Sequence, residues 1–240
     1  MSIEGRAVIV TGAASGIGLA TVERLAGVGA RVTAIDINED SLRYAASRLE
    51  SPDGISWHRG DVRVLEDMAS IADAVFAREG RIDALIGCAG LADMSSVATG
   101  DVDRWLGVLS VNTLGPMVAS RAVTPYMLQQ GYGDIVIVTS ASGRITYVGE
   151  PAYIASKHGA IAFLDSMRKE LSATDIRVTS IEPGLVDTPM SRAHPFIATI
   201  LKDVEPLQPS DVAGLIEYCI ALPRHINVNE LVVRPTRQEL

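Results

Sequence analysis

The stretch that decides the fold is Ala7 to Gly18, AVIVTGAASGIG. A β-branched run ends at Thr11, glycines follow at 12, 16 and 18, and an apolar helical pattern opens at Ile17. Strand, glycine turn and helix, in that order, let a backbone approach a pyrophosphate closely and set it on the positive end of a helix dipole. The spacing is G-x3-G-x-G, and glycine also turns loops for purely structural reasons. The weight of the motif therefore rests on the strand before it and the helix after it.

The same alternation continues along the chain. Strands are expected at Ala7 to Thr11, Arg31 to Asp36, Ile55 to Arg59, Ala84 to Cys88, Asp134 to Ser140, Arg177 to Ile181 and Asn229 to Val233. Helices are expected between them at Ile17 to Val28, Glu39 to Glu50, Val64 to Glu79, Asp103 to Gln130, Ala152 to Ser172 and Ser210 to Leu222. Strand and helix in strict alternation imply right-handed crossovers and an α/β fold, a Rossmann-type doubly wound parallel sheet of about seven strands. No linker, repeat or composition break divides residues 1–240, so one domain is expected, with a substrate loop over the proline-rich segment from Gly184 to Pro209.

In an open parallel sheet, ligands bind at the carboxyl ends of the strands. Candidate groups collect there. Asp36 closes the second strand, where its carboxylate would accept from a ribose 2′-hydroxyl and repel a 2′-phosphate; Ala13, Ala14 and Ser15 bring no basic group to offset that repulsion. These residues favour NAD over NADP, the bland alternative being that Asp36 caps the next segment. Asp61, in GDV, is placed to hold an adenine edge, or else only turns the chain. Ser140 leaves the fifth strand thirteen residues before Tyr153, where its hydroxyl would bind an oxygen that changes between alcohol and carbonyl or would support a turn.

Pro151 to Ala160, PAYIASKHGA, places Tyr153 and Lys157 one turn apart on a single helical face. The chain holds three lysines against eighteen arginines, so a lysine here asks for a chemical reason. A free tyrosine titrates near 10, and a shift of roughly three units toward the phenolate takes about 4 kcal/mol, within reach of nearby positive charge. Lys157 and an oxidised nicotinamide are two such charges, and the pair then reads as a tuned acid and base. A surface tyrosine and lysine that share a face by chance is the structural alternative.

Composition excludes little beyond disorder and fibre, at 48% hydrophobic and 21% charged residues. A formal charge of -8 with no basic stripe argues against nucleic-acid and membrane partners. Cys88 and Cys219 lie far apart, and His58, His158, His194 and His225 show no metal spacing, so no metal is expected. MSIEGRAVIV enters a strand without a leader pattern, and no apolar run reaches the length of a membrane span; a reducing, cytoplasmic setting is expected. Arg144, Arg192 and His194 border the substrate segments and read as solvent-exposed charge sooner than as carboxylate ligands. Tyr147, Met190 and Phe196 either line an apolar pocket or anchor their loops.

TGAASGIG, Asp61 in GDV, VN at Asn112, Ser140, YIASK and PGLVDT from Pro183 to Thr188 together resemble the short-chain dehydrogenase/reductase family in its simple single-domain branch, over essentially the whole chain. The resemblance implies that Ser140 positions the substrate oxygen, Tyr153 transfers its proton, Lys157 lowers the tyrosine pKa and binds the nicotinamide ribose, and Asn112 supports a water relay. It places the cofactor against Gly12, Ser15, Gly16, Ile17, Gly18, Asp36, Asp61, Val62, Ala89, Gly90, Tyr153, Lys157, Pro183, Gly184, Val186 and Thr188. One departure is Cys88, where the family commonly has Asn; a thiol cannot supply the amide's donor and acceptor, so a backbone contact must be met differently. The residues between Pro151 and Asp165 are apolar on several faces, and the resemblance adds a homodimer or homotetramer contact through that helix. The reading is an NAD-dependent oxidoreductase interconverting a secondary alcohol and its carbonyl. Its rivals are an NAD(H)-binding redox sensor without turnover and an NADP-preferring carbonyl reductase.

Overall fold

The computed structural model describes residues 2–49, 54–193 and 204–239. In chain order it contains β1 (Ala7–Thr11), α1 (Gly16–Gly27), β2 (Arg31–Asp36), α2 (Glu39–Arg48), β3 (Ile55–Arg59), α3 (Leu65–Glu79), β4 (Ala84–Gly87) and α4 (Val102–Leu109). A π turn (Ser110–Leu114) leads into α5 (Gly115–Gln130) and β5 (Tyr132–Val138). A 3-10 turn (Ala141–Gly143), α6 (Pro151–Glu170), β6 (Asp175–Pro183), the short α7 (Pro189–Arg192), α8 (Pro209–Ala221) and β7 (Glu230–Val233) complete it.

The seven strands pair in parallel in the order β3-β2-β1-β4-β5-β6-β7. β1 and β4 are buried at every position, which is why both read as unbroken apolar runs instead of alternating ones. On one face Met68 and Ile71 of α3, Val123 and Met127 of α5 and Leu164 of α6 pack on Ile9, Leu85 and Ile135. On the other, Val22 and Leu25 of α1 and Val212, Ile216 and Ile220 of α8 pack on Val8, Val10 and Ile86. The strand order reverses between β1 and β4, and a crevice opens there at the carboxyl edge.

The opposite edge is held by charge. Asp134, buried on β5, accepts from Arg177 Nε at 2.6 Å, from Arg177 Nη2 at 3.0 Å and from Arg224 Nη1 at 2.9 Å. Arg177 also donates to the carbonyls of Ile220, Leu222, Pro223 and Ile226, which binds the chain after α8 to the sheet.

The helix expected over Asp103 to Gln130 is in fact broken. Pro116 has no N–H to return to the carbonyl of Asn112, and the ladder shifts locally, with Gly115 N–H bonded to the Ser110 carbonyl. Other boundaries move by a few residues: β5 ends at Val138, which leaves Ser140 just beyond it, and β6 extends on both sides to Asp175 and Pro183. The segment expected as a loop from Gly184 to Pro209 contains α7, closed by a capping box between Thr188 and Ser191. His194 and Phe196 lie outside the described residues.

Candidate active site

The glycine turn is required sterically. A Cβ at Gly12 would fall 2.6 Å from Ala89 N, and one at Gly18 would overlap the carbonyl of Gly12. Gly12 therefore lets β1 and the end of β4 approach, and Gly18 lets α1 start directly over the turn. Gly16, at φ 52°, brings Thr188 alongside, so the phosphate turn meets the segment after β6. Ser15, the N-cap of α1, makes no side-chain cap bond; the first N–H groups of α1, among them Ile17 and Gly18, keep no side-chain partner and suit an anion.

Asp36 ties this loop to the start of its own next segment. Oδ2 accepts from Ala14 N–H at 3.1 Å and Oδ1 from Asn38 N–H at 3.0 Å. Those bonds hold the carboxylate beside the glycine turn. Asp61 follows β3, but Arg63 grips it through Nε at 2.9 Å and Nη2 at 2.6 Å and holds its pKa below the usual carboxylate range. Val62 is buried against Gly115.

The chemical groups lie next to the crevice. Ser140 Oγ accepts from Ser142 N–H at 3.1 Å and so turns the chain, and its hydroxyl faces the same cavity as Tyr153, whose pKa it lowers. Lys157 Nζ lies 5.7 Å from the centre of the Tyr153 ring and 3.4 Å from the carbonyl of Val138. Asn112, 2% exposed in the π turn, clamps the Leu91 peptide by accepting its N–H and donating to its carbonyl, both at 2.8 Å. Its Nδ2 also donates to Ser156 Oγ at 2.9 Å. Gly90 sits where a Cβ would lie 3.5 Å from Asn112 Oδ1 and 3.9 Å from Lys157 Nζ. Pro183, Gly184, Val186 and Thr188 form the opposite wall of a cavity of about 990 Å3 that also takes in Ile17, Cys88, Gly90, Ser140, Tyr153 and Lys157.

The electrostatics differ from the sequence expectation in one respect. Burial pushes the Tyr153 hydroxyl up to about 12, opposed by the Ser140 hydrogen bond and aided by Glu150, and burial pulls Lys157 down to about 8. A low-dielectric wall disfavours phenolate and ammonium alike, and at this separation Lys157 does not reverse it. The chain by itself holds Tyr153 protonated.

The sequence profile of the short chain dehydrogenases matches residues 6–195. The chain belongs to the short-chain dehydrogenase family. It is an oxidoreductase of that family, whose members use a nicotinamide cofactor. An uncharacterized oxidoreductase of Staphylococcus saprophyticus is 34% identical over 237 residues, 98% of this chain and 99% of that one. Among solved structures, the closed form of a serine dehydrogenase complexed with NADP+ superposes with a TM-score of 0.91 at 30% identity, covering 97% of this chain and 96% of that one. Serine dehydrogenase from Escherichia coli superposes with a TM-score of 0.85 at 29% identity, covering 97% and 99%.

Within this short-chain dehydrogenase several residues exceed the sequence reading. Ser156, fully buried, donates from Oγ to the Tyr153 carbonyl at 2.7 Å and so couples Asn112 to the tyrosine's own turn of helix. It lies inside YIASK, but its spacing alone does not announce a role. Gln238 Oε1 accepts from Leu185 N–H at 2.9 Å, and Gln238 and Glu239 line the cavity from the far end of the chain; no local signal marks them. Arg144 is exposed, as expected, but is also clamped by the fully buried Glu182 (Nε and Nη2, each 2.7 Å) and by Glu230. Arg192 does sit at the surface, against Asp187. Tyr147 and Met190 line the cavity. Cys88 bonds its backbone N–H to the Thr11 carbonyl at 3.1 Å; its thiol, beside Thr21, is pushed up to about 12 by burial and acts as a small core side chain.

Among the described residues no helix is long and apolar enough to cross a membrane, and no group of three His, Cys, Asp or Glu could hold a metal ion.

Proposed function

We propose that the protein is an NAD-dependent oxidoreductase interconverting a secondary alcohol and its carbonyl, with Ser140, Tyr153, Lys157 and Asn112 as its acid/base set. The observation that carries this reading is the single cavity that Ser140, Tyr153 and Lys157 share with the wall from Pro183 to Thr188. An oxidised nicotinamide in that cavity supplies the hydride acceptor and a positive charge. Ser140 Oγ holds the substrate oxygen, and Tyr153 Oη takes the hydroxyl proton as the C–H and O–H bonds break and the C=O bond forms. Lys157 then favours the phenolate, and the Asn112 carbonyl that Pro116 cannot serve is a starting point for the proton relay. In reduction Tyr153 returns the proton.

The glycine turn, the open first turn of α1 and Asp36 fit a dinucleotide, and Asp36 favours NAD. The NADP+ named with the similar serine dehydrogenase supports the opposite preference, and direct titration with NADH and NADPH decides between them. The same likeness supports a small polar hydroxy compound as substrate. Exposed Ala155 and Ala162 on α6, together with exposed Leu106 on α4 and Leu114 in the π turn, support a contact between copies.

The test follows NAD reduction optically with the wild type and Tyr153→Phe over hydroxy acids, amino alcohols, polyols and aliphatic alcohols. Turnover of one class, lost by more than a thousandfold in the variant, is expected; turnover retained by Tyr153→Phe refutes the acid/base role. NADH binding with no turnover anywhere would favour the redox-sensing reading.

A further inference from the structure

The cavity beside Tyr153 continues into a second hollow of about 560 Å3 between the segment after β4 and α7; the two share Ala92, Met94 and Met190. Three described cations line the joined space: Lys157, Arg144 and Arg104. Lys157 belongs to the proposed acid/base set. Arg144 has committed Nε and Nη2 to two carboxylates. Arg104 makes one ion pair, Nε 3.4 Å from Asp93 Oδ2, its side chain is 71% exposed, and among the described residues neither of its Nη groups has a hydrogen-bond partner.

The support behind Arg104 is rigid. Asp93 is 4% exposed and accepts from both the N–H, at 3.0 Å, and the hydroxyl of Ser95. Ser95 Oγ in turn accepts the indole N–H of Trp105 at 2.8 Å, and Trp105 packs over Gly100 so closely that a Cβ there would overlap its ring. A guanidinium drawn by its Nε toward a buried carboxylate leaves two Nη groups free in the planar fork that matches a carboxylate or phosphate. Asp93 is buried and already engaged by Ser95, so it orients Arg104 without using up the fork.

We infer that the Arg104 hollow is an anion subsite of the substrate pocket, and that the substrate is a hydroxy or oxo compound carrying a carboxylate or phosphate directed to that side. The inference rests on the oxidoreductase reading only for the reacting end of the substrate; anion binding is measurable without turnover.

The test titrates wild type, Arg104→Gln and the charge-matched control Arg43→Gln calorimetrically with two pairs of probes: 3-hydroxybutyrate against its methyl ester, and glycerol 3-phosphate against glycerol. Wild type and Arg43→Gln should bind the anionic member of at least one pair about ten- to a hundredfold tighter than the neutral one, and Arg104→Gln should lose most of that ratio. Preference for the first pair assigns a carboxylate, and preference for the second assigns a phosphate. No preference in wild type, or the same preference in Arg104→Gln, overturns the subsite. Tyr153→Phe should keep the preference while losing turnover, which separates failure of the subsite from failure of the acid/base reading.

Discussion

Replacing Lys157 by methionine should stabilise the protein at neutral pH while it abolishes turnover. Lys157 is 6% exposed, forms no ion pair among the described residues, and has a single 3.4 Å hydrogen bond. Burial lowers its pKa from 10.5 to about 8. Between those values the unfolded chain binds a proton that the folded chain does not, so stability rises with pH through the window and the penalty is fully present below it. The lysine then costs about 3 kcal/mol at pH 7 and about 1 kcal/mol at pH 10 relative to an uncharged side chain. Methionine has similar length and no charge to desolvate. The stability advantage of Lys157→Met over wild type should thus be about 2 kcal/mol larger at pH 7 than at pH 10. Urea unfolding of both proteins at the two pH values, at one protein concentration, reads this difference directly. An advantage that is the same at both, or larger at pH 10, would show that Lys157 is not a desolvated cation and would refute the reasoning.

Two further outcomes follow from the opposite kinds of carboxylate in this fold. Asp36→Ala should weaken NADH binding about ten- to a hundredfold through loss of a charge-assisted bond, and should weaken NADPH binding far less; fluorescence titration checks the ratio, and an equal loss for both cofactors would reject Asp36 as the discriminator. Asp134→Ala strands two arginines at the far edge of the sheet and should cost about 3–5 kcal/mol in chemical denaturation. NADH affinity should be unchanged in that variant, and a loss under 1 kcal/mol would mean that the arginines find other partners.

The sheet was legible because each buried strand is a short apolar run closed by Gly, Asp or Ser at its carboxyl end, and those closing residues include the ones proposed to meet the ligand. The break at Asn112 was not, because apolar residues surround Pro116 in sequence and the period hides a missing N–H. The sign of the Tyr153 shift in the chain alone was not legible for a related reason. Spacing places Lys157 on the same helical face, but only packing shows that Lys157 is buried and Tyr153 half-buried beside it, and desolvation acts on each in the unwanted direction. Arg104 falls in the first turn of the helix expected from Asp103, where no local pattern marks it; its relation to Asp93 depends on how the chain folds around Trp105. Gln238 and Glu239 reach the cavity from more than fifty residues beyond Gly184, a distance no local pattern encodes.

The two edges of the sheet handle buried charge in contrary ways. At the amino edge Asp134 faces two arginines at hydrogen-bond distance, and all of the remaining guanidinium donors but Arg224 Nε, which has no partner among the described residues, meet backbone carbonyls, so most of the desolvation is offset within the fold. At the carboxyl edge Lys157 has no counter-ion among the described residues, and Tyr153 keeps its proton far above neutral pH. A unit positive charge added about 5 Å from Tyr153, at an effective dielectric of about 20, would favour the phenolate by about 3 kcal/mol, or roughly two pKa units. That is most of the shift burial imposes. The fold thus leaves at one edge an electrostatic deficit that it closes at the other, and the deficit has the sign that a bound cation next to the tyrosine would correct.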